Sequence, residues 1–234
     1  TLGGALSVAA DGIWDGEVWL RGAIGWRMPL SGWRAAYTGD VLGWHERARK
    51  HFDAYAASQV THKPQVKQHP AQDPEMNLAR SIKEWGTPQY SNGYICRNPN
   101  RNDQMHHYDM NLCYTDELLW HFNWTGDLAY ARKMWPVLVR HLDWEKRNFD
   151  PDNDGLYDAY ACIWASDALY YNSGAVTHSS AYNYRANKMA AEIARLIGED
   201  PSPYASEAAQ ILKAMNEQLW IPSKGHWAEY KDFM

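Results

Sequence analysis

The stretch SSAYNYRANKMAAEIARLIGEDPSPYASEAAQILKAMNEQLW, residues 179–220, contains two amphipathic segments separated by a short turn. The first segment predicts a helix over 179–197 that ends at Gly198, because glycine tolerates the left-handed conformation that follows many helices. Pro203 opens the second helix, since proline is favoured in the first turn, and this helix runs to Trp220. Two long helices joined by a short turn are typical of an antiparallel helical hairpin.

The upstream sequence predicts a second hairpin. A helix is predicted over 110–123 and ends at Gly126, and Asp127 caps a short helix that runs to Met134. Pro136 is then expected to start a separate helix over 137–148.

The first part of the chain is less regular. Apolar side chains at three- and four-residue steps predict a helix over 39–59, and the Gly- and Trp-rich segment 14–38 is predicted to be an ordered loop. Residues 60–102 are rich in Pro, Gln and Asn and are predicted to be a long irregular excursion, with one short helix near 76–83.

Composition limits the class of function. A net charge of -5 and the lack of a basic stripe argue against nucleic acid as a partner. No apolar stretch is long enough to predict a membrane segment, and the three cysteines follow no metal-binding spacing. The chain has 13 Trp and 15 Tyr but only 4 Phe. Side chains with a flat face and a polar edge suit the stacking and hydrogen bonding that sugars require, which favours a carbohydrate ligand.

Four motifs, in order, resemble those of a known superfamily: Asp-Pro-Asp-Asn-Asp-Gly-Leu-Tyr from 150, Trp-Ala-Ser-Asp at 164–167, Ala-Tyr-Asn-Tyr at 181–184 and Gly-His-Trp-Ala-Glu-Tyr at 225–230. The chain resembles the six-hairpin, (α/α)6-barrel glycoside hydrolases, which include alpha-L-rhamnosidases, glucosylceramidase-like enzymes and trehalases. It is most similar to an uncharacterised group of large bacterial glycosidase-like proteins.

The resemblance implies an all-α toroid of helical hairpins. A full toroid has twelve helices, and the chain is expected to supply about seven of them, so residues 1–234 are expected to be an incomplete part of one catalytic module. The resemblance further implies a secreted or periplasmic protein that acts on an oligosaccharide or polysaccharide, with other domains in a longer polypeptide.

Glycosidic bond cleavage requires a protonated carboxyl group and an ionised one. The resemblance places the general acid at Asp167, beside Trp164, which can stack on sugar and raise the pKa of the acid by desolvation. Asp167 is equally well explained as the cap of a helix that begins at Ala168. Glu229, near Trp227, is the candidate second carboxylate, and an acid elsewhere in the module is an equal alternative.

Further polar and aromatic side chains are candidates for sugar binding. Arg34 has the geometry to grip a uronate carboxylate with two hydrogen bonds, whereas Asp40 is also explained as the N-cap of the helix over 39–59. The full candidate set for substrate binding is Trp33, Arg34, Asp40, Trp44, His45, His107, Trp164, His178, Asn183 and Trp227. Asp116 and Glu117 are adjacent on a helix, so at most one of them is expected to reach a central cavity.

Asp150, Asp152 and Asp154 precede Gly155 in the spacing of a calcium loop. The twelfth position is Ala161 and not the bidentate Glu of an EF-hand, so an Asx-rich structural turn is favoured over bound calcium. No organic cofactor is expected, because no phosphate-binding glycine motif is present.

These features together predict a glycoside hydrolase with a two-carboxylate mechanism, and the resemblance implies that the mechanism is inverting. A polysaccharide lyase or sugar epimerase that uses His107, His178 and a Tyr is an alternative on the same toroid. A non-catalytic carbohydrate-binding module is the third hypothesis.

Overall fold

The computed structural model of the chain describes residues 1–5, 13–21, 28–29, 31–32, 34–61, 91–96, 98–99, 109–158 and 175–231. Besides a helical turn at 2–5, the helices in these ranges are α1 (Ala35–Val41), α2 (His45–Ala56), α3 (Asp109–Thr125), α4 (Leu128–Phe149), α5 (Thr177–Ile197) and α6 (Ser202–Gln218). The architecture is therefore mostly helical, as predicted. The predicted short helix near 76–83 lies outside the described residues.

The strands are short and antiparallel. They form three two-residue pairs: β1 (Leu20–Arg21) with β2 (Met28–Pro29), β3 (Ala175–Val176) with β6 (Tyr230–Lys231), and β4 (Trp220–Ile221) with β5 (His226–Trp227). The pairing of β1 with β2 gives part of the predicted Gly- and Trp-rich loop a regular ladder. No helix in the described ranges has the length and apolarity to cross a bilayer.

The α5–α6 hairpin forms as the sequence predicts. Gly198 adopts the left-handed conformation at φ 88° and its N–H donates to the carbonyl of Ala194, which ends α5. α5 packs against α3, α4 and α6, so it lies at the centre of the described helices.

The turn between α3 and α4 also follows the predicted signals. Gly126 is left-handed at φ 59°, and the Asp127 carboxylate accepts a hydrogen bond of 2.9 Å from the N–H of Tyr130. Asp127 is therefore the N-cap of α4, and it satisfies one of the donors that a helix start leaves unpaired.

The predicted break at Pro136 is wrong, because α4 runs unbroken through this residue. Proline lacks the N–H that would bond to the carbonyl of Arg132, but both residues are exposed, so water can hydrate that carbonyl. On the opposite face, Met134 and Leu138 are buried on either side of the proline. Continuous burial of this face outweighs the local preference of proline.

The single helix predicted over 39–59 is also wrong, because the segment forms α1 and α2. Gly43, at φ 77°, separates them, and the N–H of Trp44 donates to the carbonyl of Gly39 across the turn. The chain thereby changes direction and presents the end of α1 next to the start of α2.

His51 is a fully buried polar group in the core around α2. Its Nδ1 accepts a hydrogen bond from the N–H of Trp19 at 3.2 Å, and its Nε2 lies 3.3 Å from the carbonyl of Ser31. This pairing requires a neutral imidazole, and burial lowers the pKa of His51 to about 4.

We expect His51 to make folding sensitive to acid. The unfolded chain takes up a proton near pH 6.5 and the folded chain does so only near pH 4, so stability falls as the pH is lowered between these values. The loss is about 1.4 kcal/mol per pH unit. The free energy of unfolding, measured by urea denaturation at several pH values, should depend less steeply on pH in His51→Asn than in wild type, by this amount. The same slope in wild type and His51→Asn would contradict the assignment, and His226→Gln, at an exposed histidine, serves as the unchanged control.

Candidate functional site

A group of polar side chains from three helices meets on one side of the fold. Apart from the adjacent pair Asp116 and Glu117, the residues that each helix contributes are spaced three or four apart, which places them on one face. We call this group the α1–α3–α5 cluster: Arg34 at the N-cap of α1 and Tyr37 within it, Cys113, Asp116 and Glu117 on α3, and His178, Tyr182 and Arg185 on α5.

Asp116 is the most heavily bonded acid of the cluster. Its carboxylate accepts a hydrogen bond from Nε of Arg185 at 2.5 Å and a second one from the hydroxyl of Tyr37. The side chain is 15% exposed, so the ion pair lies at the edge of the protein interior. The arginine and the tyrosine hold the side chain of Asp116 in one position.

Glu117 has the opposite environment. The residue is fully buried, and neither carboxyl oxygen has a hydrogen-bond partner among the described residues. Burial raises the pKa of Glu117 well above its usual range, with Asp116 adding to the rise and Arg34 opposing it. The two adjacent residues therefore differ in environment: Asp116 is hydrogen-bonded, whereas Glu117 is buried without a described partner and its pKa is raised.

His178 stands at the start of α5, where it stacks edge to face on Tyr182 with 5.2 Å between the ring centroids. Burial, together with the nearby positive charge of Arg34, lowers the pKa of His178 to about 4. The imidazole is therefore neutral at pH 7. Tyr182 in turn lies 3.7 Å from the sulfur of Cys113, so the cluster is continuous from α5 to α3.

Arg34 is the predicted sugar-binding residue that the structure brings into this cluster together with His178. Partial burial opposes the charged form of Arg34, but the electrostatic effects of Cys113 and Tyr182 together outweigh it and raise the pKa, so the guanidinium remains charged. The predicted partners Trp33, His107, Trp164 and Asp167 lie outside the described residues.

Glu229 lies in the hairpin that follows α6, and its side chain is exposed. Its carbonyl accepts a hydrogen bond from the N–H of Thr177, which places Glu229 beside the start of α5, next to His178. Trp227 is 40% exposed and packs edge to face on Trp220, which is 38% exposed. An exposed aromatic pair of this kind is compatible with stacking on a sugar.

Asp40, Trp44 and His45 make contacts with residues outside the α1–α3–α5 cluster. The prediction that Asp40 begins a helix is wrong. Asp40 stands in the last turn of α1, because α1 starts earlier, at Ala35. It is buried and contacts His45. Trp44 instead stacks on the guanidinium of Arg47, which lies 4.4 Å from the ring centroid.

Asn183 points away from the cluster. Its side-chain N–H groups donate to the carboxylate of Glu145 on α4 and to the carbonyl of Ser179, both at 3.1 Å. All three residues are buried. These contacts give Asn183 a role in joining α5 to α4.

The Asp-rich loop has the geometry of a structural turn. Asp150 accepts hydrogen bonds from the N–H groups of Asp154 and Gly155, and Nζ of Lys146 lies 2.5 Å from its Oδ2. Asp150, Asp152 and Asp154 each place one oxygen within 4.8 Å of the others. A lysine ammonium and two amides already occupy Asp150, so the turn interpretation fits these contacts better than a calcium site.

The sequence predicts that at most one of Asp116 and Glu117 reaches a cavity, and it gives no prediction for Tyr37, Tyr182 or Arg185. The available signal was the spacing on α5, where positions 178, 182 and 185 fall on one face. That spacing gives no information about which distant residues the face meets.

The described helices form antiparallel hairpins that bring acids, arginines and tyrosines of α1, α3 and α5 to one face. The chain belongs to the bacterial alpha-L-rhamnosidase six-hairpin glycosidase domain family, whose model matches residues 77–232. No curated protein matches the chain.

Solved structures share the fold. A rhamnosidase from Klebsiella oxytoca with rhamnose bound is 19% identical, with a TM-score of 0.63, over 95% of this chain and 39% of that protein. A GH63 mannosylglycerate hydrolase from Thermus thermophilus is 13% identical, with a TM-score of 0.58, over 97% of this chain and 67% of that protein. A GH78 family rhamnosidase of Bacillus sp. GL1 is 14% identical, with a TM-score of 0.58, over 97% of this chain and 22% of that protein. The chain thus spans well under half the length of the two rhamnosidases.

Proposed function

We propose that the protein is a glycoside hydrolase, and that terminal alpha-L-rhamnosides are the substrate class to test first. The observation that carries the proposal is the α1–α3–α5 cluster, where a buried carboxyl group with a raised pKa stands next to an ion-paired one within a glycosidase-type domain. Environments that separate the pKa values of neighbouring acids are characteristic of acid–base catalysis.

In the proposed mechanism Asp167 is the general acid. It gives its proton to the leaving oxygen while Trp164 stacks on the sugar and excludes water. A second carboxylate activates the water that attacks from the opposite face, which inverts the anomeric configuration. Glu229 is the proposed second carboxylate, since its backbone bond to Thr177 places it beside the start of α5.

The α1–α3–α5 cluster is proposed to bind the sugar next to the broken bond. Arg34 and Arg185 offer donors to sugar hydroxyls, and the ring of Tyr182 offers an apolar face. Glu117 is the alternative general acid, because burial raises its pKa and its oxygens have no hydrogen-bond partner among the described residues.

A lyase or epimerase is the second candidate, and one observation favours it. His178 is neutral and in contact with Tyr182, close to Arg34, and such a group can remove a proton next to a uronate carboxylate. After the proton is removed, a lyase would eliminate the glycosidic oxygen and an epimerase would return a proton to the opposite face of the same carbon. Neither reaction would add water.

The test is incubation of the protein in ¹⁸O-labelled water with aryl alpha-L-rhamnoside and matched aryl glucosides, mannosides and galactosides, and with a uronate-containing polysaccharide. We expect release of free sugar that carries one ¹⁸O at the anomeric carbon, because hydrolysis adds the oxygen of water there. Proton NMR of the first product should show inversion.

Other products would decide against hydrolysis. An unsaturated uronate without ¹⁸O would assign a lyase, and an altered sugar with its bond intact would assign an epimerase. Saturable binding with no product from any glycan would leave a binding module. If ¹⁸O-labelled sugar is released only from another glycoside, the protein is a hydrolase but rhamnosides are not its substrates.

A further inference from the structure

Asp40, His45 and His121 meet at one point, although they come from three elements. Asp40 stands in the last turn of α1, His45 is the first residue of α2 and His121 lies in α3. Nδ1 of His121 lies 2.7 Å from Oδ1 of Asp40, and Nδ1 of His45 lies 2.9 Å from the same oxygen. The side chains of Asp40 and His121 are fully buried, and that of His45 is 34% exposed.

Imidazoles, and not a lysine or arginine, hold the buried carboxylate of Asp40. No lysine or arginine among the described residues forms an ion pair with Asp40, whose partners are the two histidines. A bound cation would stabilise a carboxylate at such a buried position, where charge is otherwise costly.

The hydrogen bonding is also incomplete. Both imidazole nitrogens converge on Oδ1 of Asp40, and the buried Oδ2 has no partner among the described residues. Nε2 of His121 is likewise buried and without a partner in those ranges. A purely hydrogen-bonded role would be better served by one donor on each carboxylate oxygen.

Two imidazole nitrogens and one carboxylate oxygen are a ligand set for zinc and its neighbours among the divalent transition metals. Bonds of about 2.0–2.1 Å in a tetrahedral site separate ligand atoms by about 3.3 Å, so the observed 2.7 and 2.9 Å require a small outward shift.

A metal ion also needs a route from solvent and a fourth ligand. His45 lines an open groove together with Gly43, Glu46, Arg49, Trp124, Thr125 and Asp127. The partly exposed imidazole therefore connects the buried carboxylate to solvent, and a water molecule from the groove can complete the coordination.

We propose that Asp40, His45 and His121 bind one divalent transition-metal ion of the zinc type, which joins α1, α2 and α3. The site goes beyond the proposed glycosidase function, because it supplies a bond between helices and no step of sugar cleavage. His121 is 81 residues from Asp40 in the chain, so sequence spacing alone gives no sign of the site.

The test uses tag-free protein, so that no added histidines bind metal. The protein is stripped with chelator, titrated with zinc by calorimetry, desalted and assayed for metal by mass spectrometry. We expect one zinc per chain and a higher Tm with zinc than with chelator. Cobalt in place of zinc should give the visible absorption of a site with nitrogen and oxygen ligands.

Variants separate this site from adventitious binding. His45→Ala changes a partly exposed side chain and is expected to weaken zinc binding at least about 100-fold, since even changes outside the ligands cost about 10- to 100-fold. Asp40→Asn is expected to have the same effect. His226→Ala, at an exposed histidine, should leave affinity unchanged. Far-ultraviolet circular dichroism checks that each variant is folded.

Wild-type protein without stoichiometric zinc, or equal affinity in His45→Ala and wild type, would overturn the proposal. The three residues would then form a hydrogen-bonded network only.

Discussion

Replacing Asp167 by Asn is expected to lower kcat by about 100- to 10,000-fold, the range that general acid catalysis contributes. An amide cannot give a proton to the leaving oxygen, but it keeps the size and most of the hydrogen bonding of the carboxyl group. Substrate affinity should therefore change little. The measurement is kcat and KM on the best substrate, together with calorimetric binding to the variant.

The matched control for this change is Asp143→Asn, at an exposed position on α4. It makes the same chemical replacement outside the proposed site and should leave kcat unchanged. An aryl glycoside with a leaving group that needs no proton should restore much of the rate of Asp167→Asn. Unchanged kcat in Asp167→Asn would remove Asp167 from the mechanism and leave its helix-capping interpretation.

Gly93→Ala is expected to lower the free energy of unfolding by at least about 3 kcal/mol, because overpacking and backbone strain act together. Gly93 is left-handed at φ 105°, and an added Cβ would stand 2.1 Å from the carbonyl oxygen of Arg140 and 2.5 Å from Cβ of Trp144. Neither neighbour can yield easily, since Trp144 is fully buried and both residues belong to α4.

The glycine itself is also fixed in place. Its N–H donates to the carbonyl of Val60 at 2.7 Å, and its carbonyl accepts from the side chain of Gln59 at 3.0 Å. Gly43→Ala is the control, because Gly43 is left-handed too, at φ 77°, and has no atom within 4 Å of the added Cβ. It should cost about 1–2 kcal/mol. Equal losses for the two variants in chemical denaturation would show that the contact with α4 is not tight.

Local sequence signals predicted the helix ends well where the responsible atoms are close in the chain. Gly198 ends α5 and Asp127 caps α4 through bonds that span three or four residues. Pro136 gave the wrong prediction because burial of the opposite face of α4 depends on other helices. The break at Gly43 was not predicted, because the sequence on both sides of this glycine has helical periodicity.

The α1–α3–α5 cluster was less predictable than the helices. Asp116 is bonded to Tyr37 and to Arg185, which are 79 and 69 residues away, and no periodicity connects such distant positions. Arg34 and His178 were selected as sugar-binding residues from neighbouring motifs and from the resemblance. The structure joins them through Cys113 and Tyr182, which carried no signal of their own.

The most direct measurement is a crystal structure of the Asp167→Asn variant with a bound glycoside. The account predicts that the side chain at position 167 faces the glycosidic oxygen, with Trp164 against the sugar and the α1–α3–α5 cluster around it. A second carboxyl group, that of Glu229, should lie roughly 6.5–9.5 Å away, with room for the attacking water. A glycoside bound elsewhere, or a side chain at 167 that caps the helix beginning at Ala168 with no carboxyl group facing the sugar, would contradict it.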